Sequence, residues 1–457
     1  MYLNAKVVAC LGIALAAWSL AMPTPAYAFD ETLCSQANPS PPPGIPIAIA
    51  RPLNGHILGA FDISYVDPTI HTYVLAASRT VAAGNGPLSN PRIIVVDTLT
   101  NKVVHQYNAT PTFAGNCPSL AGVSINGPNG VILIEGSKSG KKKYGDIWAG
   151  DGPRYSPDCT GVFTTPSSVK VLELATGITL ATIPTGGKGR ADELCFNPFS
   201  NVVLVANPES VDKFVTFIDE DSYLPLGQIY FDGTDTKSAP PGVSPINSMG
   251  IEQCQYNPRD GKFYLSIPKT VIGSPPDPNG PGVVVRISAI PPFQVEAAFT
   301  IPIATGCVGP QGLAVGPDSQ IALGCGGANS LIINETTGSP IATVTGEGGS
   351  DEIWYNHGTN HYYFSRSGAA ALGVEDAGTP PTQETPPHIA TAAGSHSVAA
   401  DSITNHVYVP IRSNTVAVMP PATPPTVCSS FTGNSADDVQ GCIAVYRDVG
   451  EIPPGSP

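Results

Sequence analysis

Hydrophobic and polar residues alternate along this chain in short bursts of period two, broken by turn-forming residues, and long stretches of helical periodicity are absent. Six segments superpose when aligned on their turns: "FDISYVDPTIHTYVLAAS" (61–78), "ADELCFNPFSNVVLVANP" (191–208), "IEQCQYNPRDGKFYLSIP" (251–268), "PQGLAVGPDSQIALGCGG" (310–327), "SDEIWYNHGTNHYYFSRS" (350–367) and "SHSVAADSITNHVYVPIR" (395–412). Each predicts a strand, an Asp-, Asn- or Gly-led turn and a second strand. A divergent seventh copy, "AGVSINGPNGVILIEGS" (121–137), fits between the first two. Further pairs of strand signals follow most copies, as in "RIIVVDTLTNKVVHQY" (92–107), "SVKVLELATGITLATIP" (168–184) and "FVTFIDEDSYLPLGQIYF" (214–231). Four short strands per unit and seven units predict an all-β fold: a single β-propeller of seven blades, each of four antiparallel strands.

Equivalent positions 62, 122, 192, 252, 311, 351 and 396 lie 60, 70, 60, 59, 40 and 45 residues apart. The shortest spacing matches a bare blade, so the surplus must be insertions. They are expected at about 137–167, 232–247, 269–282, 369–392 and 411–440, all rich in Gly, Pro, Ser or Thr. The propeller is expected over 53–450, after a Pro-rich segment at 29–52 and before a short tail at 451–457. Residues 1–28 carry Lys6, an apolar run and the small-residue pattern Ala26-Tyr27-Ala28, which reads as a secretory signal peptide. The expected mature protein is therefore periplasmic or secreted. No later segment offers eighteen uninterrupted apolar residues, so no membrane insertion is expected, and the chain is read as a monomer.

A formal net charge of −14 argues against nucleic acid or an anionic membrane as partner. Ten cysteines occur, one of them, Cys10, in the signal peptide. An exported chain permits disulfides, and Cys428 with Cys442, Cys307 with Cys325, and Cys117 with Cys159 are the expected pairs. No Cys/His spacing suggests zinc, and the GxSxG, GxxxxGK[ST] and CxxCH patterns are absent.

The segment "SSVKVLELATGITLATIPTGG", followed by "FNPFSNVVLVANPES", resembles the YVTN-type repeat of secreted seven-bladed propellers, and the resemblance covers roughly residues 55–412. It implies the fold. Chemistry must come from a site.

In a propeller the first strand of each blade lines the central channel, so one register of that strand, taken from every blade, forms a ring. Five positions before the turn the copies supply Asp62, Gly122, Asp192, Glu252, Gln311, Asp351 and His396. The next register supplies Ile63, Val123, Glu193, Gln253, Gly312, Glu352 and Ser397. The doublets Asp192-Glu193 and Asp351-Glu352 are expected at one channel mouth, where like charges are costly unless something offsets them. Two readings stay open. Oxygen ligands from several blades suit a hard divalent cation, Ca²⁺ first among them. Alternatively the acids bond to backbone N–H groups of neighbouring blades and to water.

This ring resembles the channel-mouth sites of calcium-dependent propeller enzymes, the gluconolactonase/regucalcin and diisopropylfluorophosphatase/paraoxonase classes. The chain differs from them in having seven blades rather than six and no Asn in the ring register. The resemblance implies Asp192, Glu252, Gln311 and Asp351 as metal ligands and His396 as a base or an orienting group; the ring adds Asp62 to the expected ligands, and Asp351 and Glu352 to the expected catalytic groups. Arg190, Glu193 and Gln253 are the substrate-binding candidates, Arg190 because a guanidinium can hold a carboxylate or phosphate or pair with the acids. The leading expectation is a metal-dependent hydrolase of a lactone, ester or phosphoester, taking a small-molecule substrate. Its alternatives are a non-catalytic propeller binding a protein or small ligand through its loop face, and a metal-dependent lyase.

Overall fold

The repeated hairpins close because their turns begin on a side chain that can bond to its own backbone. Asp67, Asn197, Asn257, Asn356 and Asp401 each accept from the N–H two residues on, at 2.8–3.0 Å. The turns finish in the left-handed region at His71, Asn201, Gly261, Asn360 and Asn405. A short polar residue or glycine tolerates that conformation best, which is why the copies align on these turns.

The protein is described as a computed structural model, covering residues 46–82, 90–115, 117, 122–135, 145–156, 162–209, 211–273, 277, 279–414 and 426–448. Seven antiparallel four-stranded blades form from these residues, the first with an additional strand, His56–Ala60, paired with Thr72–Ala82. Their inner strands are Ser64–Asp67, Val131–Ile134, Leu194–Asn197, Cys254–Asn257, Pro310–Val315, Ser350–Asn356 and Ala399–Asp401. Each blade continues outward through three strands in chain order, as in blade 3 with Val202–Asn207, Phe214–Asp219 and Leu224–Tyr230. The seventh blade is the exception: its outermost strand is Ala48–Ala50, paired with Cys442–Arg447. Residues 48–50, read from sequence as part of a Pro-rich lead-in, thus join the two ends of the propeller.

The apolar alternation buries one side chain set against each neighbouring blade. Trp148 of blade 2, fully buried, packs with Leu194, Val203 and Val205 of blade 3, and Phe217 of blade 3 stacks on Phe293 of blade 4 at 3.9 Å. Because all inner strands start at the same end of the channel, every connection from a second to a third strand, and from an outer strand to the next inner strand, emerges at that end. The long insertions at 231–253, 268–282 and 412–441 are of these two kinds and share this loop face.

Three expectations need correction. In blade 2 the inner strand is Val131–Ile134, not the residues around 122, and the extra residues fall between it and the second strand, Asp146–Asp151. Residues 369–392 are no insertion: they form Ala371–Asp376 and Thr382–Ala390 of blade 6. Within 137–167 the structure places a blade strand and a small hairpin, Arg154–Ser156 with Val162–Thr165.

Disulfides join Cys307 to Cys325 and Cys428 to Cys442, as expected, and Cys195 to Cys254, which was not expected. Cys117 is also disulfide-bonded. Its expected partner Cys159 lies outside the described residues, as do Cys34, the signal-peptide segment, the basic run at 137–144 and the tail. Among the described residues no helix is long and apolar enough to cross a membrane.

Candidate functional site

Backbone hydrogen bonds fix the ring register. Asp62, Asn129, Asp192 and Glu252 each donate their N–H at 2.9 Å to the equivalent carbonyl of the second strand, of Ala76, Gly150, Ala206 and Ser266. Blade 2 therefore contributes Asn129, not Gly122, and the ring reads Asp62, Asn129, Asp192, Glu252, Gln311, Asp351 and His396. All seven members are polar. The Asn missing from the sequence-based register is present, hidden because "NGPNG" reads as a hairpin turn when it is the bend leading into the inner strand.

The second register is turned between blades. Gly130 and Gly312 occupy it where the backbone of the neighbouring blade presses close: a Cβ at Gly130 would lie 2.0 Å from the Asp192 carbonyl, and one at Gly312 2.3 Å from that of Asp351. Gln253 fills its own place by accepting from the Leu313 N–H at 2.6 Å and the Ile353 N–H at 3.4 Å. Glu352 accepts from the Ser397 hydroxyl and from the Val398 N–H at 3.1 Å. Gln253 and Glu352 are thus buried clamps between blades, and Glu193 is buried in the same register. These three side chains, expected from the sequence as a catalytic group (Glu352) and as substrate contacts (Glu193, Gln253), are buried here, whereas Glu252 and Asp351 of the ring are half-buried.

The mouth itself is organised by Arg190. Its guanidinium reaches Asp62 at 2.7 Å, Asp192 at 2.8 Å and Glu209 at 3.3 Å. Glu209, from the loop after the second strand of blade 3, was not among the sequence candidates; its position opposite Arg190 is set by tertiary structure. Burial works against the Arg190 charge, but this surround of acids holds it firmly protonated. His396 Nε2 lies 3.3 Å from Asp62, its Nδ1 2.9 Å from the Gly394 carbonyl, and its ring stacks on Phe61 at 5.1 Å. Both ring nitrogens therefore face acceptors. Burial opposes the imidazolium, yet the hydrogen bond and charge of Asp62, with Asp351 beyond, raise its pKa to about 9. Facing acceptors on both nitrogens and with its pKa raised, the His396 ring is held toward the imidazolium form.

Two cations do not neutralise this mouth. Burial would raise Asp62, but Arg190 and His396 pull it below its ordinary value. Asp192 goes the other way: burial outweighs Arg190, and the neighbouring acids help push it to about 8. Its Oδ1 is buried without a hydrogen-bond partner. Burial and the charge of Asp351 hold Glu252 well above the carboxylate range, and burial raises Asp351 too. Among the described residues, neither Glu252 nor Asp351 has a hydrogen bond or ion pair from its side chain, and both are half-buried, as are Gln311 and His396.

These oxygens are the donor set that the calcium expectation requires. Among the described residues, however, no group of three or more His, Cys, Asp or Glu side chains is placed to hold a metal ion, and a guanidinium already bridges Asp62 and Asp192. As arranged, the residues do not fit a Ca²⁺ cage, and no hydrolytic step is derived through one.

No family model matches the sequence, and no curated protein matches it. Among solved structures, the WD40 repeats of RRP9 align with 87% of this chain and 100% of their own at 9% identity and a TM-score of 0.53. U3-55K aligns with 80% of this chain and 90% of its own at 10% identity and 0.52. Hydrazine synthase of Kuenenia stuttgartiensis aligns with 86% and 97% at 13% identity and 0.51. At such identities the likeness is one of fold, and the chain is a seven-bladed β-propeller that shares that architecture with them.

Proposed function

We propose that this chain is an exported, non-catalytic propeller that binds a cationic group of a partner at its acidic channel mouth. The observation that carries the reading is the pair Glu252 and Asp351, two half-buried carboxyls at the mouth that the protein's own cations leave unpaired. A carboxyl held above its ordinary pKa by burial and like charge gains free energy when a cation arrives, because the cation offsets both penalties. An ammonium or guanidinium group satisfies two separated carboxyls through several directed N–H bonds without needing a closed cage of oxygens. Export is supported by the leader-like start and by disulfides, three of them between described residues, that need an oxidising compartment.

The test is a calorimetric titration of Nα-acetyl-arginine methylamide into wild type and into Glu252→Gln/Asp351→Asn, with Ca²⁺ titrated in parallel. Saturable binding of the arginine derivative to wild type, lost in the variant, is the expected result. Absence of arginine binding together with saturable Ca²⁺ binding that the variant loses would overturn the reading and assign the mouth to a metal, which is where lactones and phosphoesters should then be screened.

A further inference from the structure

The mouth does not stand alone on the loop face. In the connection from blade 3 to blade 4 (231–253) and the described part of the loop between the second and third strands of blade 4 (268–273, 277 and 279–282), backbone bonds stitch the two into one shelf. Bridges join Asp232 to Asn247, Ser248 to Thr270 and Ile272 to Asp277, the Met249 N–H donates to Lys269 at 2.9 Å, and the Val271 N–H to Asn247 at 2.8 Å. A shelf so bonded is an ordered surface, where an unbonded loop would have to pay its ordering entropy on binding. Val243, Met249 and Ile272 stand exposed on it, and Val211, Ile303 and Val308 stand exposed on adjoining loops of the same face, each 41–58% accessible. Isolated exposed apolar residues are ordinary; the weight here falls on Met249 and Ile272, which the bonds Met249 to Lys269 and Val271 to Asn247 hold on the same bonded shelf, Met249 three residues from Glu252 in the chain.

Resting on the reading of the mouth as a cation site, we infer that the partner is an extended segment of another protein that presents one Arg or Lys to Glu252 and Asp351 and lays apolar neighbours on the shelf of blades 3 to 5. Charge complementarity selects the occupant. An acidic ring beside apolar residues fits a basic residue with apolar flanks, and it repels acidic segments. The spacing follows from the chain itself. Met249 precedes Glu252 by three residues, so the two lie within about 11 Å of each other. An extended peptide rises about 3.3 Å per residue, which puts the apolar side chain two or three positions from the basic one.

The test uses the full mature chain and three labelled nine-residue peptides in fluorescence anisotropy: an Arg with Leu two and three positions away, the same Arg with those Leu changed to Ser, and the Leu peptide with Arg changed to Glu. Two variants accompany wild type: the mouth variant Glu252→Gln/Asp351→Asn and the shelf variant Met249→Ser/Ile272→Ser, each checked for its native circular dichroism. The Arg–Leu peptide is expected to bind wild type at least about tenfold tighter than the Arg–Ser peptide, with the Glu peptide not binding. The shelf variant should remove that tenfold advantage and leave the Arg–Ser peptide unchanged, and the mouth variant should weaken both. Equal binding of the two Arg peptides to wild type, both lost in the mouth variant, would overturn the shelf and leave the cation reading standing. Tightest binding of the Glu peptide, or no binding by any, would overturn the shelf proposal, and the arginine titration above then decides the mouth separately. Concentration-dependent self-association that the shelf variant abolishes would assign the shelf to a second copy of this chain and overturn the proposal.

Discussion

At the scale of residues, the mouth ties stability to pH. The Asp192 carboxyl titrates at about 8 in the folded chain and near 3.8 when free, so between those values the native state holds a proton the unfolded chain has released, and stability falls as pH rises. His396 acts with the same sign: its raised pKa, about 9 against 6.5, gives stability that is complete below 6.5 and is lost as pH rises through 9. Asp192→Asn should therefore flatten the decline of the thermal midpoint between pH 4 and 8, and a His396→Gln variant should flatten it between 6.5 and 9; parallel curves for wild type and variant would contradict both assignments. Arg190 holds three carboxyls within 3.3 Å, so Arg190→Met strands them in a partly dry site. That loss is expected to cost about 3–5 kcal/mol in urea unfolding at pH 8, and a cost under about 1 kcal/mol would show that the acids relax by protonation alone.

At the scale of elements, the inner strands of blades 3 and 4 are joined by Cys195–Cys254, directly behind the acids Asp192 and Glu252. This bridge joins residues 59 apart in sequence and Cys307–Cys325 residues only 18 apart, so the loop-entropy argument gives about 4 kcal/mol for the first and about 3 kcal/mol for the second. Paired Cys→Ala substitution should show that order in denaturant midpoints; the reverse order would mean that local packing, not chain entropy, governs. Much of this level was legible in the sequence. The Asx-led turns of five blades and the Gly316-led turn of a sixth set the register, and with it the positions of Asp62, Asp192, Glu252, Gln311, Asp351 and His396. Blade 2 was misplaced because its extra residues separate its first two strands, which makes "NGPNG" the only visible turn and hides Asn129. The Cys195–Cys254 pairing was illegible for a related reason: the two residues belong to different hairpins and meet only across a blade interface. Likewise Glu352 and Gln253 looked like mouth residues beside their ring neighbours, and strand pleating turned them into clamps between blades.

At the scale of the whole molecule, closure of the ring decides whether the seven ring side chains face one another at all. The last blade is completed by Ala48–Ala50 on Cys442–Arg447, and Arg51 then pairs with Asp437 at 2.6 Å. Removing residues through 50 should expose the edge of Cys442–Arg447 and lower the thermal midpoint while promoting association; an unchanged midpoint would show that closure rests on other contacts. With the ring closed, five acids, Asp62, Asp192, Glu209, Glu252 and Asp351, meet two cations at one mouth, and the loops around it carry the exposed apolar shelf. The central claim is that this charge surplus receives a cationic group. Because Asp192 and Glu252 hold protons above the usual range, a cation that enters must drive protons out. The most direct measurement is calorimetry of Nα-acetyl-arginine methylamide at pH 7 in two buffers of different ionisation enthalpy, which counts those protons. Net proton release on binding, abolished in Glu252→Gln/Asp351→Asn, is the predicted result; proton uptake, or heat indistinguishable from dilution in both buffers, would contradict the account.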